Sequence, residues 1–278
     1  MLVAVASWLV ASTLLGLGNT VGYHRLLTHR SFETHWLVRA VWTLLGAMHS
    51  GSPLVWVGLH RLHHARSDGE GDPHSPRDGL WHAHCGWLFG SKNPVLCALF
   101  AASGFGQQAA LLVHDVRRLM GRNPPIWRDG TPDLNKEPLM RALDVPGVMP
   151  ALFLAQLGLA VALGGLWGVL WLWLLHLTLT NGSWAVNSVG HWTAMGAEAH
   201  DNHDTSRNVA WLALFTWGEG YHNSHHRYPR SARHGLGQPF DASWLVIRAM
   251  GAVGLAWNVW LPKAHRASVP EALRGKFR

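Results

Sequence analysis

The chain has 278 residues, with 20 His, 17 Trp, 14% charged and 48% hydrophobic residues, a mixture that fits neither a disordered segment nor an ordinary soluble domain. Two cysteines, Cys85 and Cys97, argue against a disulfide framework and leave no cysteine-based zinc or iron–sulfur motif. The formal charge of +7 comes without a Lys/Arg block interleaved with aromatics, so no nucleic-acid partner is expected; basic flanks around apolar segments and abundant Trp fit a membrane instead.

Residues 1–22 are apolar and almost uncharged. They lack a basic start and a cleavage site, so they read as a spanning helix rather than a signal peptide. Residues 36–59 form a second apolar stretch, broken by Arg39, His49 and Pro53. Residues 60–78 are polar, 80–112 mixed, and 114–147 loop-like, with Pro124, Pro125, Pro132, Pro138 and Pro146. The run 148–186 is long enough for two crossings of about 20 residues each, with a turn at Gly164-Gly165. Polar stretches at 196–208 and 219–241 follow, and 243–261 suggests an interfacial helix. No internal repeat appears, and the chain reads as one domain, 1–278.

Four histidine motifs stand in order: His24 with His29; His60, His63 and His64; Asn187 with His191; and His222, His225 and His226. Residues three and four apart share a helix face, so each HxxHH triplet presents its rings in one direction. His24 and His29 are five apart and require a helix end or a bend. Imidazole suits Zn, Cu, Fe and Ni. Nine such nitrogens are too many for one ion and suit two. HExxH and the paired-Glu di-iron pattern are both absent. With a neutral ligand set, charge must come from bridging oxygen species or from carboxylates behind the rings, for which Asp68, Glu70, Asp72, Asp204 and Glu219 are the candidates. His35, His49, His114, His176, His200, His203, His234 and His265 read as ordinary core or surface residues. All ligands must share one membrane side. The 36–59 stretch is therefore expected to be interfacial or embedded and returning, and the 148–186 hairpin brings the chain back to its starting side.

The stretches HRLLTHRSF, HRLHHARSDGEGDPHSPRDG, NSVGHW and GEGYHNSHHRYPRSARHG resemble the membrane fatty acyl desaturases of the stearoyl-CoA (delta-9) type, with the prokaryotic branch the nearest in its short tail and compact loops. The resemblance runs from Gly18 to Trp260. It implies an all-α integral membrane protein with spanning helices under a cytosolic helical cap, the cap built from 24–35, 60–147 and 187–278. At their junction it implies a di-iron centre with ligands His24, His29, His60, His63, His64, His191, His222, His225 and His226. Asn187 matches a position that contacts one iron through water, and Trp56 and Trp184 match aromatics lining the acyl tunnel. Ser12 and Gly16, small and on one helix face, are expected at the tunnel's deep end, open enough for chains of about 16–18 carbons.

The implied reaction removes two hydrogens from adjacent methylenes with O2 and two electrons. The electrons are expected from a separate ferredoxin or a cytochrome-type donor with its reductase, docking near Arg227, Arg230 and Arg233. Zinc is the expected substitute for iron in overexpressed protein. The expected location is multi-pass in a bacterial plasma membrane, with the metals on the cytoplasmic side. Two departures stand out. There is room for one spanning helix before the first cluster where relatives carry two, so either the chain starts inside a longer one or three spans suffice. The polar pairs of CoA-using animal relatives are Ser50-Gly51 and Gly58-Leu59 here, which leaves CoA, acyl carrier protein and intact lipid open as carriers. The competing readings are a lipid hydroxylase on the same scaffold and, from a different class, a membrane metal- or haem-binding transport protein.

Overall fold

A computed structural model describes residues 2–122, 130–238 and 240–268. Pro124, Pro125 and the last ten residues lie outside the described residues. Helix α1 (Leu2–Leu17) runs without a break into a π-helix, Gly18–Thr28. A π-helix bonds each N–H to the carbonyl five residues back, a rare pattern that concentrates at functional sites. Here the His29 N–H reaches the His24 carbonyl at 3.1 Å. The π-helix leans on α2 (Trp36–Ser50) through small residues. A Cβ on Gly22 would lie 2.7 Å from the Trp42 carbonyl oxygen, and one on Gly46 2.6 Å from the Tyr23 ring. Gly18 and Gly22 form the small-xxx-small pattern that lets apolar helices meet backbone to backbone.

α2 stops at Gly51, whose φ of 85° favours glycine. α3 (Pro53–Arg66) then starts on a proline, whose missing N–H costs nothing in a first turn. The stretch read as 36–59 is therefore two helices, and the second continues through the His60–His64 triplet. The change to polar residues after Leu59 marks a change of surroundings, not a helix end. α4 (Leu80–His84) is short, and α5 (Pro94–Ala102) meets α6 (Gly106–Leu119) at a 103° bend. α6 and α7 (Pro138–Leu143) make helix of part of the segment read as loop.

α8 (Val148–Ser188) contains one non-helical residue, Gly165, at φ 54° and ψ −134°. The chain reverses there. The Phe153 and His176 rings lie 5.5 Å apart, and a Cβ on Gly168 would overlap the Ala160 carbonyl, as only antiparallel limbs allow. The limbs 148–164 and 166–188 are about 26 and about 35 Å long at 1.5 Å per residue. α9 (Ala210–Phe215), α10 (His222–Arg227) and α11 (Ala242–Ala252) follow, and the Asp241 side chain caps α11 at the Trp244 N–H. A short antiparallel pair, Glu33–Thr34 with Ala256–Trp257, ties the segment after the π-helix to the C-terminal part.

The main apolar core surrounds the π-helix, with Val21, Tyr23, Leu27, Val57 and Ile247 fully buried. At the other pole, Leu2, Val3, Leu163, Leu166 and Trp167 are between 72% and 82% exposed, a surface suited to lipid rather than water. Among the described residues, Leu2–Thr28 and Val148–His191 are long and apolar enough to cross a membrane, and the bent pair α5–α6 makes a third if taken as one span.

Candidate metal centre

The fold gathers nine histidines into two groups. His24, His29, His60, His64 and His225 form one; His63, His191, His222 and His226 form the other. In each group one nitrogen from every ring lies within 4.8 Å of those of the other rings. The π-helix solves the five-residue spacing, because an i→i+5 ladder brings His29 onto the side of His24, the rings edge to face with centroids 4.8 Å apart. The two HxxHH helices divide their rings in opposite ways. α3 gives His60 and His64 to the first group and His63 to the second, while α10 gives His225 to the first and His222 and His226 to the second.

Behind the rings stand carboxylates. His24 Nδ1 lies 2.5 Å from Glu219, His63 Nδ1 3.0 Å from Asp72, His191 Nδ1 3.1 Å from Asp68, and His226 Nδ1 2.5 Å from Asp204. Each carboxylate accepts an Nδ1–H and so leaves a lone pair on Nε2. Glu70, the fifth candidate, is exposed and joins none of these contacts. Within each group, Nε2 atoms face one another at 2.9–3.3 Å: His225 with His64 and with His24 in the first, His222 with His191 and His63 with His226 in the second. Nε2 lone pairs aimed at one another repel in a buried site, and a shared cation is what such a donor set fits. Two nitrogens bonded at right angles to one ion at about 2.1 Å stand about 3.0 Å apart, in keeping with these separations. Four carboxylates also balance two divalent ions in charge.

Electrostatics keeps the rings neutral. Burial first, then the neighbouring histidines, hold His60, His64, His222, His225 and His226 well below the usual imidazole range. Burial pushes Glu219 up, but Arg25, His24 and His234 outweigh it and hold the carboxyl well below its usual range. Burial likewise raises Asp68 and Asp72, and the hydrogen bonds from His191 and His63 lead the interactions that bring them down.

Sequence reasoning missed several supporting residues. Arg25 is fully buried, with its guanidinium 2.5 Å from Glu219 and 3.3 Å from Asp241. Its signal is a charge directly beside His24, following the apolar run of α1. His234, read as ordinary, is fully buried, 3.3 Å from Glu219 and with its ring centroid 4.3 Å from that of His225. His74 packs its ring at 4.3 Å from His63.

Two cavities adjoin the histidine groups. The larger, about 390 Å³, is lined by Gln107, Leu111 and Arg117 of α6 and by Trp56, Trp184 and Asn187. The smaller, about 60 Å³, includes Gly16, Leu179, Trp217 and His222 in its wall. Trp56, His60, Ser183 and Asn187 line both. Ser12 lines neither; it is buried, and its hydroxyl donates to the Leu9 carbonyl at 3.1 Å.

The fatty acid desaturase family profile matches residues 3–267. Three similar proteins illustrate the match. The chain is 35% identical over 268 residues to the delta-9 desaturase-like 2 protein of Arabidopsis thaliana, covering 91% of this chain and 76% of that one. It is 35% identical over 254 residues to the sn-1 stearoyl-lipid 9-desaturase of Anabaena variabilis, covering 88% and 79%. It is 36% identical over 255 residues to the delta-9 acyl-lipid desaturase 2 of Arabidopsis thaliana, covering 90% and 72%. With nearly its whole length matched, the chain belongs to the fatty acid desaturase family.

Proposed function

We propose that the chain is an integral membrane acyl-lipid desaturase that places a cis double bond at the delta-9 position of a saturated acyl chain. One hydrogen leaves each of two adjacent methylenes. With two protons and two electrons from a donor, they reduce O2 to two molecules of water. The observation that carries this reading is the junction of two buried histidine groups with a mostly apolar cavity, through walls shared at Trp56, His60 and Asn187. Two iron ions, one held by His24, His29, His60, His64 and His225 and one by His63, His191, His222 and His226, would supply the oxidising power that unactivated C–H bonds require. Zinc accepts the same donors and would replace iron in overexpressed protein.

The protein's own part is positioning. Trp56 and Trp184 hold the acyl chain against the metal groups, and Asn187 offers a polar contact beside His60. The buried rings exclude bulk water. A lipid substrate suits the outer wall: Val113 of α6 lines the cavity and is exposed, as are its neighbours Leu112 and Val116, so a chain already in a bilayer can enter sideways. Ser50 and Leu59, where CoA-using animal relatives carry polar residues, also line this cavity. The relatives' names support both the lipid carrier and the bond position.

In this reading, residues 1–22 and the two limbs of α8 span the membrane, and the nine histidines, from His24 onward, sit in a cap on the cytoplasmic side of a bacterial plasma membrane. A separate ferredoxin or cytochrome-type donor docks on the cap at Arg227 and Arg230, which are exposed; Arg233 is bound to the Gly235 and Gln238 carbonyls. A transport protein would spread histidines along its spanning helices at bilayer depth, whereas these converge. The test is expression of the full chain followed by gas chromatography of cell lipids and iron analysis. New delta-9 monounsaturated acyl chains support the proposal. Hydroxylated chains favour the hydroxylase reading. Folded, iron-loaded protein with no new product overturns both.

A further inference from the structure

We infer that Trp217 is the floor of the acyl tunnel and sets how many carbons fit beyond the metal groups. The inference rests on the desaturase reading above. Sequence reasoning puts an open floor at Ser12 and Gly16. In the structure the space beside Gly16 is already filled. A Cβ on Gly16 would overlap Cζ3 and Cη2 of the Trp217 indole and lie 2.6 Å from its Cε3. The inner cavity has the Trp217 ring in its wall together with His24, His60, His222 and Asn187, and Ser12, one turn earlier on α1, is not part of it. The small residue at position 16 therefore seats an aromatic ring at the cavity wall.

The ring is held in place. Trp217 has φ 54°, in the left-handed region that a bulky residue adopts only where its surroundings impose it. Those surroundings are visible. The Trp217 carbonyl accepts the Ser243 N–H at 3.0 Å and the Ser243 hydroxyl at 2.8 Å. The same hydroxyl accepts from Thr20 of the π-helix at 2.6 Å. The next residue, Gly218, donates its N–H to the Ala213 carbonyl at 2.8 Å. The indole itself packs against both large apolar clusters, around the π-helix and around α8. A strained backbone pinned from two sides aims a rigid ring at one wall of one cavity.

The inner cavity, about 60 Å³, has Trp217 in its wall and shares Trp56, His60, Ser183 and Asn187 with the outer cavity of about 390 Å³. With the reacting carbons beside His60 and Asn187, the end of the chain that turns into the inner cavity meets Trp217. Each methylene too many must displace the indole, and a pocket discriminates one methylene by about tenfold or more.

The experiment uses the full chain in a host supplied separately with tetradecanoic, hexadecanoic and octadecanoic acids, with monounsaturated products resolved by gas chromatography. Trp217→Leu and Trp217→Ala are expected to raise the ratio of long to short products by about tenfold, with Trp217→Phe in between. Gly16→Ala, which drives the ring into the cavity, is expected to lower that ratio. Membrane protein level and metal per chain are read alongside. An unchanged ratio in folded, active Leu and Phe variants overturns the inference. Loss of all three variants from the membrane makes Trp217 a packing residue and also counts against it. Wild-type protein that makes no unsaturated product removes the desaturase reading itself, whereas an active wild type with unmoved ratios removes only the role of Trp217.

Discussion

His63 and His226 face each other Nε2 to Nε2 at 3.3 Å, and each has already given its Nδ1–H to a carboxylate, Asp72 and Asp204 respectively. The pair therefore presents two lone pairs and no proton between them. In water such rings would turn apart; here packing and the two carboxylates forbid it. The arrangement makes sense around a cation, and it ties metal affinity to residues that never touch the metal.

Asp204→Asn and Asp72→Asn test that tie. Each removes the charge that fixes a ring and raises its basicity. Metal affinity or turnover is expected to fall about 10- to 100-fold, with the amount of membrane protein unchanged. Metal per chain at limiting iron is the measurement, and full loading in both variants would contradict the assigned role.

The division of the triplets predicts separable vacancies. His225→Ala touches only the five-histidine group, and His226→Ala only the four-histidine group. Each is expected to lower metal content from about two ions per chain to about one and to abolish desaturation. Elemental analysis of purified protein decides it. Two ions retained in either variant would remove that residue from the site.

Acid should destabilise the metal-stripped protein. The buried rings of His60, His64, His222, His225 and His226 have folded pKa values well below the unfolded value of about 6.5. Above that pH neither state binds the proton, so these groups give no pH dependence. Below it, the unfolded chain takes up protons that the folded chain refuses, and stability falls by about 1.4 kcal/mol per pH unit for each such ring. Glu219, with its depressed folded pKa, adds its own loss only at lower pH, below about 4.5. Thermal midpoints in detergent should be level above neutrality and drop steeply below about pH 6.5. A midpoint that rises on acidification would contradict neutral, buried rings.

Gly165 offers a test free of steric crowding. Its φ of 54° with ψ of −134° is a region that side chains avoid, yet nothing lies within 4 Å of a Cβ built there. Gly165→Ala should therefore cost about 1–3 kcal/mol from backbone conformation alone. It should lower thermal stability while leaving the product profile unchanged. Full stability in that variant would mean the reversal does not depend on this backbone geometry.

Much of this was legible in residue types and spacing. HxxHH places three rings toward one side of a helix, and a long apolar run with a Gly-Gly pair suggests a reversal. The remainder needed three dimensions. Five-residue spacing says only that an α-helix fails; it does not say that the backbone rewinds into eleven residues of π-helix around Gly18 and Gly22. The splitting of each triplet between two groups depends on how α3 and α10 face each other, which no local pattern encodes. At Gly16 the sequence shows the missing side chain, and only the fold shows the Trp217 ring that lies beside it.

The way the histidines are shared between distant segments also bears on how the protein is made. His24 and His29 find His225, and His63 finds His222 and His226, so both groups wait for the same late segment. A ribosome has delivered most of the chain before residue 222 emerges, and the reversal at Gly165 must already have brought α8 back. Until then the N-terminal segments carry only part of each group: His24, His29, His60 and His64 of one, and His63 of the other. The short helix His222–Arg227 closes both at once. A chain cut before residue 222 would therefore lack a ring from each group at once: His225 from the five-histidine group, and His222 and His226 from the four-histidine group.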